Sequence, residues 1–166
     1  MRFFIENSVE VSRPFEAVRE RFVSNGTWFA PLASAAEEDG EALYLRMGPS
    51  WASGRVAREV RVTLGPPRDR GISVVVPISW QSSGLPALFP VLDGDVELLP
   101  LNPDHCRVSL FASYVPPFGQ LGGQLNRALL YRVAQSTVRS FLARVAESLE
   151  DEKLDRWPAA SRFQRD

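Results

Sequence analysis

Phe3-Phe-Ile-Glu-Asn-Ser-Val-Glu-Val-Ser-Arg-Pro-Phe-Glu-Ala-Val18 changes its period halfway along, and that change decides the fold class. In the first half Phe3, Ile5, Val9 and Val11 fall on odd positions, while Glu6, Ser8 and Glu10 fall on even ones. An apolar residue at every second place marks a strand with one face buried. In the second half Ser12 can cap a helix, Pro14 suits a first turn that has no N–H bond to lose, and Glu16 suits the positive end of the helix dipole. Phe15, Val18, Phe22 and Val23 then recur at three- and four-residue steps until Asn25-Gly26 stops the helix. A second short helix is expected within Thr27 to Glu38.

From residue 41 to residue 115 the texture is alternating segments divided by turn residues, the pattern of an antiparallel meander. Leu43, Leu45 and Met47 form one strand face, closed by Gly48-Pro49-Ser50. Val56, Val60, Val62 and Leu64 share the next face with Arg58, and Gly65-Pro66-Pro67 ends it. Ile72, Val74, Val76, Ile78 and Trp80 are expected to face together in the strand that follows. Pro77 has the opposite parity and lacks a ladder donor, so a bulge or an edge position is expected there. Asp93-Gly94 is a hairpin signal, yet Leu92, Val96 and Leu98 point one way and Asp93, Asp95 and Glu97 the other. That division favours one continuous strand. Asn102-Pro103-Asp104 turns the chain, and Cys106, Val108, Leu110, Ala112 and Tyr114 line the last strand.

After Pro116-Pro117-Phe118-Gly119 the period becomes helical. Leu121, Leu125, Leu129, Val133, Val138, Leu142, Val145 and Leu149 fall on or near one stripe. At ~1.5 Å per residue such a helix extends over ~40 Å, enough to lie across a small sheet. The expectation is an α+β chain with a single domain over residues 1–150 and a charged C-terminal tail over 151–166.

Composition narrows the function. Lys and Arg total 19 against 20 Asp and Glu, so no global field attracts nucleic acid, and no basic cluster supplies one locally. The apolar runs are far below the ~20 residues that cross a bilayer, and Glu6 and Asn7 interrupt the N-terminus before a signal-like core forms. No stable membrane insertion and a cytoplasmic location are expected. Cys106 is the only cysteine, which rules out an intrachain disulfide and a Cys-rich zinc site.

The order strand, helix pair, antiparallel strands, long C-terminal helix resembles the START-like or SRPBCC superfamily. Val9-Glu-Val-Ser-Arg-Pro-Phe-Glu-Ala-Val18 looks like that superfamily's usual lead into its first helix, and Ala134-Gln-Ser-Thr-Val-Arg-Ser-Phe-Leu142 is similar to its C-terminal helix. The resemblance spans roughly residues 3 to 150. It implies a helix-grip fold: a curved antiparallel sheet of six or seven strands, two short helices after strand one, and a long last helix. It also implies a cavity between sheet and helix for lipids, polyketides or other apolar molecules. Both segments are signatures of fold, and the superfamily is functionally mixed.

On that expectation the sheet lines the cavity with Met47, Arg58, Val60, Val62, Val76 and Trp80, then with Leu98, Leu110, Ala112 and Tyr114. The last helix adds Leu125, Leu129 and Val133, and the second helical stretch adds Trp28. Aromatic bodies cover apolar guests while an indole N–H or a phenol hydroxyl orients them, though core packing accounts for the same residues. Arg58 on an apolar face calls for a carboxylate or a ligand anion, unless it lies at the strand's exposed end. The only histidine, His105, follows a turn with outward parity and reads as a solvent-facing residue, and Cys106 reads as a small buried hydrophobe. Asp93, Asp95 and Glu97 share an outward face and read as solvated, not as an acid–base pair. The glycines of Phe118-Gly-Gln-Leu-Gly-Gly123 lack the Lys-Ser/Thr of a phosphate loop.

No metal or cofactor is expected, and no complete catalytic constellation is present. The leading expectation is binding or carriage of a small hydrophobic molecule, by a monomer or a dimer. The alternatives are a polyketide cyclase or dehydratase-like enzyme, working by positioning and hydrogen bonding, and a protein-interaction module related to chaperone activators.

Overall fold

The alternation that opens the chain forms β1 (Phe3–Val11), and the serine–proline corner after it starts α1 (Phe15–Ser24). The structure, a computed structural model, describes residues 2–24, 29, 32–33, 60–82, 91–115 and 127–151. Phe29, Leu32 and Ala33 are helical, within the stretch expected to hold the second helix. There follow β2 (Val60–Leu64), β3 (Arg68–Asp69), β4 (Val74–Ser82), β5 (Val91–Asn102), β6 (His105–Val115) and α2 (Arg127–Glu150). The strand expected at Leu43 to Met47 lies outside the described residues.

The strands form one curved six-stranded sheet in the order β1-β6-β5-β4-β2, with β3 also pairing β4, and every pairing is antiparallel. Its inner face carries the buried alternation, including Ile5, Val76, Leu92, Val96, Leu98 and Val108. The outer face carries the acids, as the parity of residues 92–98 requires. β5 therefore runs unbroken through Asp93-Gly94. Gly94 pairs with Ala112, and a Cβ there would meet Ala112 Cβ at 2.6 Å and also the Phe111 carbonyl oxygen. The missing side chain lets β5 and β6 approach closely at this pair.

Two details depart from the alternation. β4 begins only at Val74, so Ile72 does not join its face and is 74% exposed. The physical reason is the turn before it: Gly71 takes a φ of 84°, its N–H donates to Asp69 Oδ1 at 2.7 Å, and Arg70 N–H donates to Ser73 O at 2.8 Å. Extrapolating parity backwards across a left-handed glycine fails because the turn rotates the chain. Pro77 sits inside the sheet, opposite Asp95, and not at an edge. The irregularity falls on its neighbour: Leu64 pairs with Ile78 and Arg68 with Val75, which sets Gly65, Pro66 and Pro67 against only Val76 and Pro77. Gly65 N–H donates to the Pro77 carbonyl at 2.8 Å, so the missing donor meets a bulged stretch.

At 24 residues and ~1.5 Å each, α2 is ~36 Å long. It packs chiefly against β1 and β6 and buries Leu130, Val133, Val138, Phe141, Val145 and Leu149. Its last turn contains no basic residue, so the free carbonyls there are met from elsewhere. Arg21 of α1 donates to Ser148 O at 2.7 Å and to Asp151 O at 3.1 Å, and Arg13 donates to Leu149 O at 3.1 Å. In return Glu150 accepts the Ser12 N–H at 2.7 Å. No helix among the described residues is long and apolar enough to cross a membrane.

Candidate functional site

Antiparallel register lines up inner-face side chains in rows across the sheet. Nearest the start of β1, Val62, Trp80, Leu92, Tyr114 and Phe3 stand side by side on five strands. The next row is Leu64, Ile78, Gly94, Ala112 and Ile5, whose middle holds only a hydrogen and a methyl group. Then come Val76, Val96, Leu110 and Asn7, and after them Val74, Leu98, Val108 and Val9. The largest side chains of the face thus gather at one end, beside its smallest.

α2 closes over these rows with Val133, Thr137 and Phe141. The Phe141 ring meets Trp80 edge-on, centroids 5.5 Å apart, and Phe29 at 6.2 Å; Phe29 in turn meets Phe22 at 5.9 Å. The Tyr114 hydroxyl donates to Thr137 Oγ1 at 3.4 Å, and Thr137 donates to the Val133 carbonyl at 2.9 Å. Trp80 is fully buried, yet its indole N–H meets no acceptor among the described residues. Buried donors are almost always paired, and an unmade bond costs about 1–3 kcal/mol.

A polar relay stands beside this end. Asn7 Nδ2 donates to Gln135 Oε1 at 2.6 Å, and Gln135 Nε2 donates to the Tyr131 hydroxyl oxygen at 2.8 Å. Sequence reasoning missed Asn7, although the signal was there: it shares odd parity with Phe3, Ile5 and Val9, and a polar residue on a buried face needs a partner.

Of the cavity candidates, Val76, Trp80, Leu98, Leu110, Ala112, Tyr114 and Val133 are buried on the inner face or on α2. Val62 and Leu129 pack partly buried against that core. Val62, Trp80 and Tyr114 share one row, whereas Leu98 lies three rows away, toward the opposite end. Val60 belongs to β2. Trp28, Met47, Arg58 and Leu125 lie outside the described residues.

The other titratable candidates lie elsewhere. His105 stands at the β5–β6 turn, 3.2 Å from Asn102 Oδ1. Asp95 lies 3.9 Å from Arg68 on the outer face, and Glu97 accepts the Ser73 hydroxyl at 2.6 Å. Cys106 is buried between Val11 and Pro100, and burial pushes its thiol up from 9.0 to about 11, which keeps it protonated and unreactive at neutral pH. Among the described residues no group of three His, Cys, Asp or Glu side chains is arranged to hold a metal ion.

Among solved structures, a conserved protein from Geobacillus kaustophilus superposes with a TM-score of 0.52 at 12% identity, over 89% of this chain and 95% of that one. A START superfamily protein from Mycobacterium smegmatis is similar over 89% of this chain and 97% of its own, with 12% identity and a TM-score of 0.41. The Zhui aromatase/cyclase from Streptomyces sp. R1128 is similar over 90% of this chain and 94% of its own, with 16% identity and a TM-score of 0.43. No family model matches the sequence, and no curated protein does. At such identities likeness concerns fold and not activity. The antiparallel sheet order and the long last helix packed on the inner face give this chain an α+β helix-grip fold.

Proposed function

We propose that the protein binds a small hydrophobic molecule between the inner face of the sheet and α2, as a carrier or sequestering module. The observation that carries this reading is the Trp80 indole N–H: fully buried, on the row of large side chains, and without an acceptor among the described residues. A guest with a hydroxyl or carbonyl oxygen removes the cost of that unmade bond while its apolar body stays out of water. The Tyr114 and Thr137 hydroxyls, bonded to each other and to the Val133 carbonyl, place polar oxygens at the same row. An apolar wall with a few convergent polar groups is the usual composition of a small-molecule site. Val62, Val76, Leu110, Ala112, Leu129 and Val133 supply the wall in this proposal, and Leu98 lies at its far margin. Val60, Trp28, Met47, Arg58 and Leu125 extend it beyond the described side chains. The guest class is a lipid, polyketide or aromatic molecule that carries an oxygen acceptor.

The test is thermal unfolding with dodecan-1-ol and with 2-naphthol, alongside native mass spectrometry of protein purified from its own host. A saturable rise in Tm is expected, because a ligand at a hundred times its Kd stabilises by about 2.7 kcal/mol. Trp80→Phe should remain folded and bind the alcohol about tenfold more weakly, the loss of one hydrogen bond. No rise with either probe, together with a bare chain mass, overturns the proposal.

A further inference from the structure

The row that ends at Phe3 runs out into an open groove of about 620 Å³, lined by Arg2, Phe3, Phe4, Arg127, Ala128 and Tyr131. Two features set this groove apart. First, it gathers two of the four exposed large hydrophobic side chains among the described residues: Phe4, 83% exposed, and Tyr131, 42% exposed. Exposed apolar side chains are unremarkable singly and informative when clustered in a concave surface. Second, both of its charged lining residues are arginines, from the start of β1 and the start of α2, and no carboxylate of the described residues lines it.

The apolar part is held in place. Phe3 is buried and meets the Tyr131 ring edge-on, centroids 5.6 Å apart. The Tyr131 oxygen accepts from Gln135 Nε2, which leaves the hydroxyl proton to donate outward. Phe3 also pairs across the ladder with Tyr114, so the groove abuts the Trp80–Leu92–Tyr114 row directly.

We infer that this groove is a binding site for an amphipathic carboxylate, with the anionic group on Arg2 and Arg127 and the apolar body along Phe3, Phe4 and Tyr131. This rests on the reading of the chain as a binder of small apolar molecules and adds a second, charge-selective place for a guest of that class at the surface. A guanidinium presents a planar fork that matches a carboxylate two bonds at a time, and two of them against aromatic surface select an anion over a neutral molecule of equal length. Both arginines are exposed, so the preference is screened by salt.

The experiment compares two probes of equal chain length, dodecanoate and dodecan-1-ol, by isothermal titration calorimetry at pH 8 and low salt. It uses the full chain and the double variant Arg2→Gln, Arg127→Gln. Dodecanoate is expected to bind the parent about tenfold more tightly than the alcohol, since charge-assisted bonds are roughly twice as strong as neutral ones. In the double variant that preference should vanish while alcohol binding stays unchanged, which also reports that the variant is folded. Equal affinities in the parent, or a preference that survives in the double variant, overturn the carboxylate site and leave apolar binding standing. Failure of both probes to bind the parent overturns both.

Discussion

The two ends of α2 rest on the same sheet and are built in opposite ways. At its C-terminal end Arg13 and Arg21 are bonded to helix carbonyls, Glu150 holds the Ser12 N–H, and Val11, Cys106 and Leu149 are buried. At its other end Arg127 and Arg2 line an open groove, and Phe4 and Tyr131 face solvent. The same residue types thus do different work. Where arginines meet carbonyls, they fasten α1 and the β1–α1 corner to the end of the long helix. Where they flank exposed aromatic rings, they are available to something else. A fold that must both stand and admit a guest can divide those tasks between its ends, because local stability varies across a structure.

The contrast breaks first in the core. Leu149→Ala at the closed end should destabilise by about 2–5 kcal/mol, the range for removing a buried leucine, whereas Phe4→Ala should stay within about 0.5 kcal/mol. Denaturant midpoints measured side by side decide it, and equal costs would erase the distinction. A second test concerns the close approach of β5 and β6 at Gly94. Gly94→Ala forces a methyl group into Ala112 and the Phe111 carbonyl, and should cost about 1–3 kcal/mol by overpacking in the same assay.

The arginines give a smaller and sharper test. Arg21→Ala removes a half-buried cation that bonds two carbonyls, with an expected loss of about 1–2 kcal/mol. Arg127→Ala at the open end should change stability by less than about 0.5 kcal/mol. Least is expected of Cys106 at neutral pH, where a thiol-labelling reagent should react with the folded chain only as fast as the chain opens. Its proton is held more tightly in the folded state than in the unfolded one. That contribution is complete below 9.0 and is lost as pH rises through about 11, so stability should fall with pH across that window. In Cys106→Ala this component of the fall should be absent.

Much of the architecture was legible because alternation is a local property. The continuity of β5 through Asp93-Gly94 followed from the parity of Leu92, Val96 and Leu98 against three acids, even though the dipeptide alone reads as a turn. Ile72 was misread because parity was carried backwards across Gly71, whose positive φ resets the direction of the chain. Trp80 and Tyr114 could be placed on the inner face from spacing. The orphaned state of the Trp80 N–H could not, because it depends on which side chains arrive from α2, 61 positions away in the case of Phe141. The groove was invisible for the same reason: Arg2 and Arg127 stand 125 positions apart in the sequence, and only the seating of α2 beside β1 brings them into one surface.

The most direct test is the indole N–H signal of Trp80 in a ¹H–¹⁵N spectrum, assigned by its disappearance in Trp80→Phe. On titration with dodecan-1-ol it should move downfield and saturate with the probe, as a free donor gains an acceptor. A Trp80 signal that stays fixed while the probe demonstrably binds would contradict a guest held at this row.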